Sequence, residues 1–564
     1  SSYIDVNSLS PEDISLDMFS ADDLLNKNAA SNPYISYFGY DYLGNRTRKR
    51  FSVNDFLLDK QNRSLGSFAP IYSAAWLQDK FAIKDMIFRI GVRVERYDAN
   101  QPTLKDPYSL YPIKTVGEVD ELNGQVINHP DNIGDDYAVY VNSAKNPTKI
   151  LGYRKDNTWY DAQGVQVSNP EILAQQTASN LIQPFLVDYN NKDIVKEAFK
   201  DYEPQVNILP RIWFSFPINK DALFFANYDV LTQRPTDGAT FTPVSSYYFL
   251  ESDQDRFLPN AALKPRIKTM YELGYKQKLS NVSAVSLIAS YSEVRNDFGQ
   301  YRYNQAYPVS YTSYSNIDFS TNKAFRIEYQ YRGVKNFQMT ANYTLLFADG
   351  TGSNINAQSA LIQANQPNLR SLYPLDVDFR HNFNSTFTYA YEGGKDYNGP
   401  IWFGKRIFEN AEASFIVLAR SGAPYTANLS PTATAQAALG TITRSQVKGN
   451  PFGSRMPWQF KADVNISRSF EFKKKQIKDN RINVTGVTVF LWVQNLFNAK
   501  IVESVYSFTG LPNDDGYLNS PAGQQAISQQ INQQSFIDLY NISMNNPFNY
   551  GAPRLIRLGL RFTL

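Results

Sequence analysis

The chain of 564 residues contains no cysteine and only two histidines, His129 and His381. Disulfide scaffolds and thiolate zinc sites are excluded by the first absence. The second argues against a multi-histidine metal centre or a histidine-rich acid/base centre and leaves carboxylate chemistry open, and no enzyme activity is expected. Charge of one sign is also missing: 56 Lys and Arg stand against 53 Asp and Glu, a formal net charge of +3. Nucleic acid is therefore not an expected partner, because phosphate binding needs a concentrated basic surface. No long apolar run is present either, although a membrane-crossing helix needs roughly 20 mostly apolar residues. The best charge-free stretch, Ile482 to Ala499, is broken by Asn483, Gly486, Gln494, Asn495 and Asn498, and its Val and Thr content suits a strand. The other, Gly422 to Thr443, carries two prolines and reads as loop. No basic and apolar leader opens the chain at Ser1, so the expectation is a processed product or part of a longer one.

What is abundant is aromatic: 38 Tyr, 37 Phe and 6 Trp. They recur with period two. In Phe88-Arg89-Ile90-Gly91-Val92-Arg93-Val94-Glu95 the even positions are apolar and the odd ones are charged or glycine. The last strand repeats this, with Ile556, Leu558, Leu560, Phe562 and Leu564 against Arg557, Gly559, Arg561 and Thr563. Thirteen such stretches are expected near 71–83, 86–97, 204–217, 221–233, 264–279, 282–296, 321–333, 335–349, 380–392, 411–425, 458–473, 481–498 and 553–564. They run to roughly 9 to 14 residues, where a globular strand averages about 5 or 6. Their connections alternate between short turns and long loops, the latter near 98–203, 234–263, 297–320, 350–379, 426–457 and 499–552. A soluble β-sandwich also alternates apolar and polar positions. Strand length and the alternation of short with long connections favour instead an all-β, transmembrane antiparallel β-barrel. With short turns periplasmic, the long loops are extracellular, the chain crosses many times and its C-terminus is periplasmic. Thirteen is odd for a bacterial barrel that closes with an even count, and residues 1–70 offer no outward strand. They read as an extracellular loop and approach to the barrel, with 71–564 as the barrel proper.

Several motifs then carry a resemblance. Ala75-Trp76-Leu77-Gln78-Asp79-Lys80-Phe81 followed by Ile90-Gly91-Val92-Arg93-Val94-Glu95-Arg96-Tyr97-Asp98 is similar to the paired "QDKW … GLRYD" strands of TonB-dependent outer-membrane receptors. Asn260-Ala261-Ala262-Leu263-Lys264-Pro265 before Tyr271-Glu272-Leu273-Gly274 resembles their "NPxLKPE … YELG" signature. Tyr373-Pro374-Leu375-Asp376-Val377-Asp378-Phe379-Arg380-His381, Ser421-Gly422-Ala423-Pro424-Tyr425-Thr426, Val493-Gln494-Asn495-Leu496-Phe497-Asn498 and Pro553-Arg554 follow in the family's order. The set covers about residues 34 to 564 and looks most like the large Oar-like or SusC-like receptors of Bacteroidota. The resemblance implies a 22-stranded barrel, of which about 13 to 14 strands are present here, with the N-terminal plug and the TonB box lying in missing sequence. Implied partners are outer-membrane lipid and lipopolysaccharide, the plug and first strands, the TonB complex and a SusD-like lipoprotein. The implied function is uptake of a large or scarce ligand, with a non-transporting structural subunit as the alternative. One departure is the ending Phe562-Thr563-Leu564, where the family favours a terminal Phe.

Candidate sites are then assigned with their plainer readings alongside. Trp76, Trp213, Trp458 and Trp492 fall near strand ends, where indoles form a membrane girdle. Arg89, Arg93, Arg326, Glu328, Lys461, Asp463, Arg557 and Arg561 are expected to face the lumen. Tyr301, Tyr303, Tyr307 and Tyr311, with Tyr247 and Tyr248, suit stacking on a sugar or peptide, or equally the packing of a surface hairpin. Glu251, Asp253 and Asp255 alternate in an extended stretch and offer hard oxygen ligands for calcium, as does Asn513-Asp514-Asp515-Gly516; a solvated loop is the plain reading. No other cofactor is expected. Asp376, Asp378, Arg380 and His381 read as a structural ion-pair cluster.

Overall fold

The computed structural model describes residues 10–26, 33–47, 52–177, 181–191, 193–250, 257–333, 336–363, 367–431, 446–474 and 483–563. Its frame is one large antiparallel sheet whose main path holds thirteen strands in strict chain order. They are β1 (Ile71–Ile83), β2 (Met86–Asp98), β3 (Gln205–Asn219), β4 (Ala222–Gln233), β5 (Arg266–Ser280), β6 (Ser283–Tyr303), β7 (Tyr311–Arg332), β8 (Phe337–Gly350), β9 (His381–Tyr391), β10 (Ala411–Arg420), β11 (Gln459–Lys474), β12 (Asn483–Gln494) and β13 (Leu555–Thr563). Each pairs with its neighbours in sequence, and β1 and β13 are not paired with each other. The sheet is therefore open, with a free edge at each end.

Register explains why alternation decided the strands. Directly opposed residues share a face, so one row can be followed across the sheet. Phe81, Phe88, Phe214, Ala226, Leu273, Ala289, Phe325, Leu345 and His381 lie opposite one another in turn. One residue along, the next row is Lys80, Arg89, Trp213, Asn227, Glu272, Ser290, Ala324 and Leu346. One side of the sheet is thus oily and the other hydrated, and the oily side is not covered. On β13, Ile556, Leu558, Leu560 and Phe562 all stand on it and are exposed, Leu558 at 76%. No described helix is long and apolar enough to cross a membrane.

One connection departs from the sequence reading. The loop expected over 297–320 is the upper half of a hairpin, because β6 runs for 21 residues and β7 for 22. At about 3.3 Å per residue each strand reaches roughly 70 Å, whereas a tilted span needs about 9 to 11 residues. The register shifts between Val294 and Phe298, with Asn296 at a φ of 57°, and mark where the hairpin leaves the regular sheet. Its polar Tyr, Ser and Thr residues disguised it as loop, since neither face there is consistently apolar.

The long connection after β2 folds into a lobe. Its five-stranded sheet runs in the order Gln183–Pro184, Ala138–Val141, Ile150–Lys155, Thr158–Asp161 and Gln166–Val167. Tyr140, Trp159, Leu173 and Ile182 of this lobe share one buried cluster with Leu24 and Leu25 of the helix Ala21–Leu25, Phe56 of the helix Val53–Leu57, and Tyr247 to Leu250 of the helix Val244–Leu250. The N-terminal stretch is consequently packed against the lobe at the long-loop end.

Candidate functional site

Two places gather chemistry: the aromatic cluster at the long-loop end, and the polar face of the sheet.

In the cluster, Tyr303 stacks on Tyr311 at 4.9 Å and meets Tyr301 edge-on at 4.9 Å and Tyr108 edge-on at 5.2 Å. The hydroxyls of Tyr108 and Tyr301 lie 2.9 Å apart, and Tyr311 donates to the Pro107 carbonyl at 2.6 Å. Tyr247, Tyr248, Tyr303 and Tyr311 are buried, and Tyr301 and Tyr307 pack against them. Burial first, then the neighbouring Tyr301, pushes the Tyr108 hydroxyl far above its ordinary range. The space left between Tyr247, Tyr303 and Tyr311 is about 90 Å³, against roughly 300–1,000 Å³ for small-molecule sites. These tyrosines are the core of the hairpin tip. The stacking platform expected of them is corrected to the alternative read beside it, the packing of a long surface hairpin.

Two cations lock this core, and neither was visible in the sequence. Arg154 is buried, pairs with Asp106, donates to the Tyr140 hydroxyl at 2.9 Å, and lies over the Tyr108 ring at 4.5 Å. Burial opposes its charge, but Tyr140 and Asp106 outweigh that and raise its pKa. Arg63 pairs with Asp22 at 2.7 Å and lies over Tyr248 at 4.7 Å, and Tyr248 donates to Asp22 at 2.7 Å. Burial opposes the Asp22 charge too, yet hydrogen bonds from Tyr248 and Arg63 hold the carboxyl below the usual range. The Tyr248 hydroxyl is pushed up to about 12 by burial and by its bond to Asp22.

The polar face carries all eight charges expected on it. Arg93 pairs with Glu95 at 2.5 Å, Arg326 with Glu328 at 3.3 Å and Lys461 with Asp463 at 3.0 Å, each two residues apart on one strand. Such spacing puts both side chains on the same side of the pleat. Arg89, Arg557 and Arg561 take no carboxylate among the described residues. Arg89 lies over Trp213 at 5.0 Å and Arg557 over Trp492 at 5.3 Å, and Arg93, besides its pairing with Glu95, lies over Trp76 at 5.7 Å.

Those stacks correct the girdle. Trp76 is opposite Arg93, Trp213 opposite Arg89 and Trp492 opposite Arg557, so three of the four indoles stand on the charged side and not the oily one. Position near a strand end suggested a girdle, but parity along the strand decides the side. Trp458 differs: it stacks on His381 at 5.7 Å and on Phe460 at 6.2 Å, both on the apolar face. The polar face also holds rings laid flat over glycine, Phe225 across Gly274 and Phe490 across Gly559, where a Cβ would collide with the ring.

Glu251, Asp253 and Asp255 lie outside the described residues. In the second acidic turn, Asp515 accepts the Tyr540 hydroxyl at 2.6 Å and the Tyr517 amide at 2.9 Å, and Asp514 accepts the Gly516 amide at 2.7 Å. Both oxygens serve the local turn and the packing of the helix Gln533–Met544. Among the described residues no group of three or more His, Asp or Glu is placed to hold a metal ion. Asp378 is fully buried between Arg380 at 3.0 Å and Arg455 at 3.2 Å, a clamp whose second cation comes from a distant loop. His381 meets the Tyr343 hydroxyl at 2.8 Å.

No family model matches the chain, and no curated protein matches it in sequence. Among solved structures it is similar to the FrpB iron transporter of Neisseria meningitidis, with 9% identity and a TM-score of 0.35, covering 76% of this chain and 41% of that one. It is also similar to the ferric-catecholate import receptor Fiu of Escherichia coli K12, at 10% identity, TM-score 0.37, and coverage of 87% and 44%. A double mutant of the Serratia marcescens hemophore receptor HasR, in complex with its hemophore HasA and heme, gives 12%, 0.36, 76% and 49%. The chain spans less than half the length of each of these three. At such scores the fold rests on the strand register described above, and not on the superpositions.

Proposed function

We infer that the chain is the barrel portion of a TonB-dependent outer-membrane receptor, of the Oar-like or SusC-like kind of Bacteroidota, importing a ligand too large or too scarce for open pores. A single observation carries this reading: through thirteen successive strands one face is mostly apolar and uncovered while the other is mostly polar, with charges on many of the strands. Water-soluble monomers keep exposed apolar patches to a few hundred Å². Acyl chains cover such a face, and within the sheet the strands satisfy one another's backbone groups, as a membrane requires, leaving only the two edges to be met. The charged face then lines a wet lumen. Short turns lie in the periplasm with the C-terminus, and the lobe and long hairpin lie outside. The free edges of β1 and β13 call for further strands, and the lumen for a plug, as the sequence resemblance implies. The TonB complex, lipopolysaccharide and a SusD-like lipoprotein are the partners that go with it. The cargo class is a glycan, peptide or chelate, with calcium at the 251–255 stretch as an accompanying proposal.

A second reading, a non-transporting structural subunit, is favoured by one specific feature. The helix Gln533–Met544 in a long loop leaves Leu539 and Ile542 exposed, on one side of the helix by their spacing. Depleting TonB separates the two. Import predicts that cells keep binding cargo at the surface but stop accumulating it, whereas unchanged cargo accumulation together with loss of a larger assembly on deletion supports the structural subunit.

A further inference from the structure

Between β9 and β10, at the short-turn end, the chain builds a small second hairpin outside the main sheet. Ile401–Trp402 pairs with Lys405–Arg406, and Phe403 with Gly404 forms the tip. Both tip residues have positive φ, 50° and 73°, as a tight two-residue connection of the I′ type demands. That corner ordinarily takes Asn or Gly, because a bulky side chain is disfavoured in the left-handed region. Here it holds a phenylalanine that is completely exposed, beside Ile401 and Trp402, each more than half exposed. Local backbone preference does not select this ring, so a reason lies in what the ring meets.

The base of the hairpin shows which side it occupies. Trp402 contacts Phe408 edge-on at 6.2 Å, and Phe408 stacks on Tyr391 at 5.7 Å. Tyr391 is opposite Ala411, which is opposite Arg468, and this row belongs to the apolar face. Arg468 donates to the carbonyls of Glu409 and Arg406, at 3.3 and 3.1 Å, and so ties the hairpin to that face. The rings are therefore continuous with the oily side of the sheet. Charge sorts along the hairpin in the same sense: Lys405 adjoins the tip, while Arg406 is turned back to the base, where it pairs with Glu409 at 3.2 Å and donates to the Gly394 carbonyl, and the Glu409 carboxylate accepts the Gly394 amide at 2.7 Å.

We propose that the 401–406 hairpin is a membrane-surface foot, with Trp402 and Phe403 seated in the phospholipid headgroup layer on the short-turn side and Lys405 turned toward lipid phosphate. Indole and phenyl rings beside cations fit that depth, where one end of the group is apolar and the other wet. The proposal rests on the apolar face being lipid-facing, as inferred above.

Because the chain has no native cysteine, Phe403→Cys gives a unique attachment point for an environment-sensitive fluorophore. Ile401→Cys is the companion variant that keeps both rings. Each is measured in the full chain reconstituted into phosphatidylcholine–phosphatidylglycerol vesicles, with Leu273→Cys on the sheet and Asn281→Cys in a neighbouring short turn as references. The expected result is quenching at 401 and 403 by nitroxide-labelled lipid with protection from aqueous iodide, and the reverse at 281. Lys405→Glu roughly halves the lipid quenching, through loss of attraction to anionic headgroups. Lipid quenching at 273 with open iodide access at 403 overturns the foot alone. Quenching at neither 273 nor 403 sinks the membrane reading beneath it. Protection from iodide without lipid quenching means a protein covers the tip, and overturns the proposal as well.

Discussion

Replacing Leu273 by arginine tests the solvent on the apolar face directly. Leu273 lies near the middle of β5, opposite Ala226 and Ala289, and is 55% exposed. If that face met water, an exposed substitution of this kind would shift stability by no more than about 0.5 kcal/mol. If it meets hydrocarbon, an arginine near the bilayer midplane costs about 2–4 kcal/mol, and near the interface only about 0–1. At 1.4 kcal/mol per tenfold, the central change lowers the folding constant by roughly 30-fold to 700-fold. Leu279→Arg, beside the short turn, is the shallow comparison on the same strand. Ser290→Arg is the control on the other face, where the new cation stands opposite Glu272 and meets a hydrated surface. The assay is reversible denaturant unfolding in phospholipid vesicles, followed by tryptophan fluorescence. The expected ranking is a large loss for Leu273→Arg, a small one for Leu279→Arg and almost none for Ser290→Arg. Near-equality of all three, or a larger loss at Ser290, would refute the assignment of faces.

Asp378→Asn removes the shared carboxylate of Arg380 and Arg455 from a fully buried site, and is expected to cost about 3–5 kcal/mol in the same unfolding assay. Gly274→Ala forces a methyl against the Phe225 ring and is expected to cost about 1–3 kcal/mol, with Phe225→Ala restoring most of it in the double variant. The Asp22 carboxyl has its folded pKa depressed, so its contribution is complete above the unfolded value near 4 and is lost as pH falls through the lower folded value. Limited proteolysis should therefore release the N-terminal segment at acid pH in the native chain. Asp22→Asn should release it at neutral pH as well, with little further pH dependence.

How much of this was legible beforehand depended on the range of the interaction. Alternation is a property of adjacent residues, so β1 was read at Ile71–Ile83, where it is found, and the other strands were displaced by only a few residues except at the long hairpin. The side on which Arg89, Arg326 or Lys461 stands follows from the same local parity. The hairpin tip escaped because its residues are polar on both faces, and only pairing across the chain, Tyr303 opposite Tyr311, declares it a strand. Arg154 and Asp106 are separated by 48 positions and Arg455 and Asp378 by 77. Nothing in either neighbourhood announces the partner, so these clamps were out of reach of periodicity. The tryptophans show a different failure. Residue type and position near a strand end suggest an interface role, whereas parity along the strand puts Trp76, Trp213 and Trp492 on the charged side, opposite Arg93, Arg89 and Arg557.

Why an inward tryptophan should face an arginine then has a physical answer within the sheet. A guanidinium on the polar face without a carboxylate neighbour keeps most of its hydration while its flat side covers an indole, which would otherwise stand as apolar surface in water. The three stacks lie on β1 to β3 and on β12 with β13, the strands beside the two free edges. Carboxylates pair with cations both there, as between Arg93 and Glu95, and farther in, as between Arg326 and Glu328. The indole stacks thus gather beside the edges, whether or not the cation is also paired with a carboxylate, as Arg93 is with Glu95. If edge-adjacent rings serve only the local sheet, Trp76→Leu and Trp492→Leu should change stability alone. If they meet a further part of the proposed barrel or its contents, the same changes should also lower recovery of the folded chain from the membrane, and that difference is measurable by comparing unfolding midpoints with membrane-inserted yield.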